Sequence, residues 1–344
     1  MSIYLIGLSL SILLVTFVMP FYIKLLKSKN VNQITSEYAL NEYKNKDKTP
    51  IMGGLIFVIV PVIVFFLLRP EGISDKRTLF IILSFVLFCI VGLSDDLIII
   101  ARNKNDGLSP ITRLVMELAI TIGLYFIFKD VIPNKITIPF VHIGIQFNPI
   151  FFIPFMSLLY MAEANAVNFT DGMDGLCAGV SAIGLVAFAI INVVRLEDNI
   201  SLLIFCVIGG LIGYLFFNHH PAKIFMGDSG SLALGALFSS LAIMGDLTIA
   251  LFIIGGVFVI EMFCVCLQQI SVRLFHKKVF SYTPIHYSFV IKGYKEQKIV
   301  LCFYGLALIL AVIGLIIGLN TLWNMYLMKI IICLSKIEYY LLII

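Results

Sequence analysis

Four short polar motifs hold the residues whose types and spacing could do chemistry. The first is Gly92-Leu93-Ser94-Asp95-Asp96, closing a long apolar run. Adjacent helical residues point about 100° apart, so the two carboxylates can serve different partners from one place. One could hold a divalent metal while the other takes a proton; as a bland alternative, the pair marks a helix end. The second, Asn168-Phe169-Thr170-Asp171-Gly172-Met173-Asp174-Gly175, sets Asn168, Asp171 and Asp174 three apart, on one stripe if helical. That stripe suits a nucleoside or a metal, and the glycines permit close backbone approach.

The third motif, Asn218 to Ser231, contains Lys223, Phe225 and the segment Gly227-Asp228-Ser229-Gly230-Ser231 immediately before an apolar run. Asp228 therefore falls at a helix N-terminus, where free backbone N–H groups favour an anion such as diphosphate. A carboxylate beside them suits a hard cation. Lys223 adds positive charge, and Phe225 could stack on a base or pack in the core. The fourth, Pro284-Ile285-His286, offers an imidazole in a basic loop that could bind phosphate or relay a proton. Glu261, deep in an apolar run with Gln268 two turns on, and Glu163, near the end of the fifth run, read as structural hydrogen-bonding acids rather than catalytic ones.

The elements that must position these motifs are membrane helices. The chain is 60% hydrophobic and only 13% charged, with a mean hydropathy of +1.06, against roughly 25% charged in soluble domains. Apolar runs at 3–23, 51–68, 79–94, 111–128, 150–166, 175–194, 201–217, 231–245, 248–272 and 299–319 predict ten crossings. The fold class expected is an all-α polytopic membrane protein. One domain would occupy residues 1–319, followed by an apolar tail over 320–344. The alternating, β-branched stretch Lys135–Phe147 predicts a small extracytoplasmic hairpin.

The first run is followed by Lys24, Lys27 and Lys29, which places its N-terminus outside. Alternation then crowds lysine and arginine into the loops that also carry the four motifs, so these motifs face the cytoplasm. The seven cysteines lie in or beside apolar runs without metal-ligand spacing. The net charge of +4 follows topology and headgroups, and nothing points to nucleic acid. Walker, Rossmann and zinc-protease patterns are absent from the sequence.

Taken in order, the motifs resemble the polyprenyl-phosphate N-acetylhexosamine-1-phosphate transferase superfamily, and within it the phospho-N-acetylmuramoyl-pentapeptide transferases. Thr49-Pro50-Ile51-Met52-Gly53-Gly54 is similar to the family's Thr-Pro-Thr-Met-Gly-Gly. Asp95-Asp96, Gly107-Leu108-Ser109, Asn168–Gly175, Pro221–Ser231, Gly256–Glu261 and Pro284–His286 extend the likeness over about residues 45–300. The resemblance implies a ten-helix fold with both termini outside, a cytoplasm-facing active-site cleft and a Mg²⁺-dependent enzyme. That enzyme would move phospho-MurNAc-pentapeptide from UDP-MurNAc-pentapeptide to undecaprenyl phosphate in a bacterial plasma membrane, giving lipid I and UMP for peptidoglycan. Carried over residue by residue, it implies that Asp228 binds the metal and that Asp95 acts as base with Asp96 assisting. His286 would join them as a catalytic residue. It further implies that Lys46, Asn168, Asp171, Asp174, Lys223 and Phe225 bind substrate, Phe225 by stacking on uracil. A homodimer is expected on the same ground.

The chain also departs from the family pattern. His286-Tyr287-Ser288 stands where the family has three histidines, Ile51 replaces a threonine, and Leu97-Ile98-Ile99 replaces Tyr-Leu-Lys. Alternatives are therefore a sister transferase for UDP-GlcNAc or another UDP-sugar, and a catalytically silent relative. A transporter would instead place its acids at mid-membrane. Direct attack and an aspartyl intermediate on Asp228 both stay open.

Overall fold

The computed structural model describes residues 2–32, 49–102, 107–141 and 143–321. Twelve helices and one hairpin follow in order: α1 (Ser2–Ser28), α2 (Gly54–Leu68), α3 (Lys76–Arg102), α4 (Pro110–Phe128), β1 (Lys135–Ile138) and β2 (Ile143–Gln146). After the hairpin come α5 (Pro149–Thr170), α6 (Leu176–Val194), α7 (Asp198–Asn218) and α8 (Asp228–Gly245). The described residues close with α9 (Thr248–Ile254), α10 (Gly256–Phe275), α11 (Ile285–Ile291) and α12 (Glu296–Asn320). Among the described residues, nine helices are long and apolar enough to cross a membrane. The tenth expected crossing is α2, whose 15 residues rise about 22 Å. The chain is a multi-pass, all-α membrane protein.

The hairpin forms where expected, with Lys135 opposite Gln146 and Ile138 opposite Ile143. One expectation is corrected. The run 248–272 is not one helix but two, α9 and α10, meeting at Gly255. Hydropathy is blind to such a break because both halves are apolar. The tail 322–344 lies outside the described residues.

Local chemistry sets several helix starts. Ser109 caps α4 by accepting from the Thr112 N–H at 3.1 Å, and Pro110 follows it. Asn148 caps α5 in the same way, through Ile150 at 3.0 Å. The core is organised on α8, which is buried at every residue from Ser229 to Gly245. It packs chiefly against α3 and α5. Its small residues let neighbouring backbones close in, as membrane helices require when apolar solvent offers no hydrophobic drive. A Cβ at Gly235 would strike the Ala164 backbone, and one at Gly92 of α3 would strike the Asp228 carbonyl. Exposed Leu13, Phe17, Ile111, Ile127, Phe263 and Leu308 leave the outer surface apolar, as lipid contact requires.

Helix length places the acids. Asp95 lies about 29 Å along α3 from Lys76 at 1.5 Å per residue, close to the roughly 30 Å depth of a hydrocarbon core. The ends of α3, α5 and α7 and the starts of α2, α4, α6, α8 and α12 meet at that end of the bundle. The hairpin lies at the other end, where Phe140 N–H donates to Asn320 of α12 at 2.6 Å.

Candidate active site

The site is built around the first turn of α8. Gly227 starts it with φ 75°, a left-handed conformation open to glycine. A side chain there would also collide with Asp96, whose Oδ2 lies 2.6 Å from the Cβ position. Behind this turn, the segment Pro50–Gly54 pairs with the segment before α8. Phe225 N–H donates to the Pro50 carbonyl at 2.8 Å. In return, the Gly53 and Gly54 N–H groups donate to Phe225 and Met226 at 2.8 and 2.9 Å. The Thr-Pro-Ile-Met-Gly-Gly signature is thus the backing of the α8 N-terminus, and a Cβ at Gly54 would meet the Gly230 backbone.

Asp96 is 1% exposed and accepts from the N–H groups of Asp228 and Ser229 at 3.0 and 3.1 Å. This corrects an expectation: those amides are not left open for a diphosphate, because a protein carboxylate already caps them. The favourable meeting of an anion with a helix N-terminus is used internally. Asp95, 6% exposed, turns the other way. Its Oδ1 accepts from Leu108 N–H at 2.8 Å, and Gly107 crowds the carboxylate so closely that a Cβ there would clash. The two neighbours do serve different partners, as the helical geometry requires.

Asp228 itself is fixed on both oxygens. Its Oδ1 accepts from Asn168 Nδ2 at 2.8 Å, and its Oδ2 accepts from Arg113 Nη1 at 2.7 Å. Asn168 also donates to Ser231 at 2.9 Å, tying α5 to α8. Arg113 is held in turn by Glu117, one helical turn on, at 3.2 Å. Glu117 Oε2 and Arg113 Nη2 are buried without hydrogen-bond partners among the described residues. Asp228 keeps 22% side-chain exposure, and its charge acts on Asp95, Asp96 and Asp171.

The second motif divides. α5 ends at Thr170, so Asn168, Asp171 and Asp174 do not share a helical stripe. Asp171 stays with the site and takes the Gly227 N–H; burial, then the charge of Asp228, push it up to about 7. Asp174 turns away. Its Oδ2 meets His220 Nδ1 at 3.0 Å and accepts from Ala222 N–H at 3.1 Å, while its own N–H donates to Glu296 at 2.8 Å. Asp174, His220 and Glu296 bring ligand atoms within 4.8 Å of one another and are joined by these hydrogen bonds. They tie the loop before α8 to the start of α12.

His286 is also corrected. It lies in the first turn of α11 rather than in an open loop, and it is fully buried. Its Nδ1 meets Glu261 Oε1 at 3.0 Å, and Glu261 Oε2 accepts from Ile285 N–H at 2.7 Å. Glu261 therefore has the structural hydrogen-bonding role expected of it. Glu163 does not: its Oε1 is buried without a hydrogen-bond partner among the described residues. The free Nε2 of His286 is aimed at Gly172, next to Asp171, and a Cβ on Gly172 would clash with it. Lys223 is exposed and Phe225 half-buried, both on the segment leading into α8. Lys46 lies outside the described residues.

The structure thus brings Asp95, Asp96, Asn168, Asp171 and Asp228 together, with His286 one loop away. Sequence reasoning missed Arg113, the cation that reaches Asp228 from 115 residues away.

Residues 78–246 match the family described as Glycosyl transferase family 4. A phospho-N-acetylmuramoyl-pentapeptide-transferase of Clostridium novyi is 37% identical over 300 residues, covering 86% of this chain and 90% of the relative. The chain belongs to the phospho-N-acetylmuramoyl-pentapeptide transferase family. Relatives of the same name from Halalkalibacterium halodurans and Staphylococcus haemolyticus are 34% and 37% identical, each covering 90% of this chain and 96% and 97% of their own lengths. Every described motif residue discussed above lies between Thr49 and Ser288, within the span of the family resemblance.

Proposed function

We propose that this chain transfers phospho-MurNAc-pentapeptide from UDP-MurNAc-pentapeptide to undecaprenyl phosphate, giving lipid I and UMP in peptidoglycan biosynthesis. The observation that carries the reading is the gathering of four carboxylates around the α8 N-terminus at one end of a membrane bundle, in a chain of this family. The basic loops at that end support a cytoplasmic orientation in a bacterial plasma membrane.

In this reaction a lipid phosphate oxygen bonds to the β-phosphorus of the donor. The bond from that phosphorus to the bridging oxygen breaks, and the electron pair leaves on UMP. Asp95 is the candidate base: Leu108 fixes one oxygen and orients the other toward Gly107, at the rim of the site. Asp96 positions α8 rather than touching substrate, because both its oxygens are committed to backbone amides. Asp228 is held by Arg113 and Asn168, an arrangement that supports a ligand role over a nucleophilic one and hence direct attack. Arg113 offers a guanidinium suited to phosphate oxygens.

The donor set fits a hard divalent cation. Asp228 and Asp171 are oxygen donors whose charges repel, Asp228 is partly exposed, and Arg113 is the one cation paired with Asp228 among the described residues. Asp228, with Asp171, would hold Mg²⁺, which would neutralise charge on the diphosphate. Asn168, Asp171 and His286 border the space for the nucleotide, and Phe225 and Lys223 lead into it.

Detergent-purified protein given undecaprenyl phosphate, Mg²⁺ and either UDP-MurNAc-pentapeptide or UDP-GlcNAc tests the donor. Release of UMP and a lipid-linked product with the muramoyl donor alone is expected. Product from UDP-GlcNAc alone would move the chain to a sister reaction.

A further inference from the structure

The histidine pattern of the family is broken here after His286, and the replacement residues have definite partners. Tyr287 O–H donates to the Gly172 carbonyl at 2.9 Å, across 115 residues of chain. Gly172 follows Asp171 directly, and any side chain on Gly172 would run into both His286 Nε2 and the Tyr287 hydroxyl, the latter 2.7 Å from the Cβ position. The tyrosine ring lies against the His286 ring, with centroids 4.2 Å apart, and edge-on to Tyr282 at 5.7 Å. Ser288 works locally instead. Its hydroxyl donates to the Tyr282 carbonyl at 2.6 Å and accepts from the Tyr282 N–H at 2.9 Å, closing the loop before α11.

We propose that Tyr287 is a positioning residue that sets the Asp171–Asp174 loop against His286 and α8 for the nucleotide donor. The hydrogen bond ends one residue from the carboxyl that takes the Gly227 N–H and faces Asp228. α5 has already ended at Thr170, so the loop has no helical ladder to hold it, and α6 begins only at Leu176. Tyr304 fixes the far end through the Gly175 carbonyl at 2.7 Å. At the near end Tyr287 adds to the Gly227 N–H that Asp171 accepts and to the Asp171 N–H bond to Asn168. A phenol, with an ordinary pKa of about 10, keeps its O–H donor through the pH range in which a histidine would titrate.

The kinetic part of this inference rests on the transferase reading, but the structural part does not. Hydrogen–deuterium exchange of the full-length protein in detergent, across residues 171–175, is compared for the native chain, Tyr287→Phe and Ser288→Ala. Losing one part-buried hydrogen bond should speed exchange there about five- to tenfold in Tyr287→Phe, and under twofold in Ser288→Ala. In turnover assays, Tyr287→Phe should raise the donor KM by a similar factor while the KM for undecaprenyl phosphate stays put. Tyr287→His, which restores an N–H donor, should recover part of the loss. Exchange in Tyr287→Phe within twofold of the native chain would overturn the proposal. So would equal donor-KM effects in Tyr287→Phe and Ser288→Ala, which would mean general loosening of α11. If the native chain released no UMP, the transferase reading would fall, and the exchange comparison would still decide the role of Tyr287.

Discussion

The two ends of the bundle use charge in opposite ways. At the hairpin end, several charges are matched in pairs. Arg77 meets Glu197 at 2.6 Å, Lys135 meets Asp246 at 3.5 Å, and Tyr4 donates to Asp198 at 2.5 Å. Asp75 takes the Thr78 hydroxyl at 2.6 Å, the Asn199 amide at 3.1 Å and the Arg77 N–H at 3.1 Å. At the other end Asp95, Asp96, Asp171 and Asp228 crowd one helix start, and Arg113 is the one cation in an ion pair with any of them among the described residues. Carboxylates near hydrocarbon are expensive, so an excess of them marks a place that awaits a positive partner. One end pairs its charges, and at the other the carboxylates around α8 outnumber the cations paired with them among the described residues, an imbalance that the proposed function would use.

The comparison can be broken most sharply at Asp95. Asp95→Asn keeps the Leu108 hydrogen bond possible but removes the proposed base, so turnover should drop about 10²- to 10⁴-fold with the protein still folded; steady-state UMP release measures it. Asp96→Ala tests the internal cap. It orphans two amides at the start of α8, each costing about 1–3 kcal/mol, so detergent melting temperature and activity should fall together. An activity loss without a melting change would make Asp96 chemical rather than architectural.

Smaller effects belong to the hairpin end. Asp75→Ala removes the cap of α3 and should cost about 1 kcal/mol near neutral pH, with turnover of the remaining folded enzyme intact. Burial alone would raise the Asp75 carboxyl, but hydrogen bonds from Thr78, Asn199 and Arg77 outweigh it and hold the group below its usual value. A depressed folded value stabilises above the unfolded pKa of about 3.9. That contribution is lost as pH falls through the folded value, so the gap between native and Asp75→Ala melting temperatures should shrink toward pH 3. Arg77→Met, at a pair about one-third exposed, should cost no more than about 1 kcal/mol, and less in high salt.

Much of the architecture was legible in the chain because hydropathy and spacing report it directly. The spans, the hairpin and the shared end of the acidic motifs all follow from runs of apolar residues and the positions of Asp95, Asp171 and Asp228. What escaped depends on contacts between distant segments. Arg113 resembled a topology marker, and nothing in its surroundings announces a reach to Asp228. The cap of α8 by Asp96 likewise joins α3 to a helix 132 residues later. The stripe expected of Asn168, Asp171 and Asp174 failed because α5 stops at Thr170, and Asp174 found His220 and Glu296 instead. His286 looked open because its loop is basic, yet Glu261 supplies the buried partner that draws it inside.

The central claim is that the unbalanced end holds a divalent cation through Asp228 and uses it on a nucleotide-linked phosphosugar. Its most direct test is UMP release and lipid-linked product formation from UDP-MurNAc-pentapeptide and undecaprenyl phosphate across a Mg²⁺ titration, with Asp228→Asn beside the native chain. The account predicts saturable Mg²⁺-dependent product in the native chain and a loss of at least about 10²-fold in a folded Asp228→Asn protein. Product formation by Asp228→Asn at the native rate, or turnover by the native chain that ignores Mg²⁺, would contradict it.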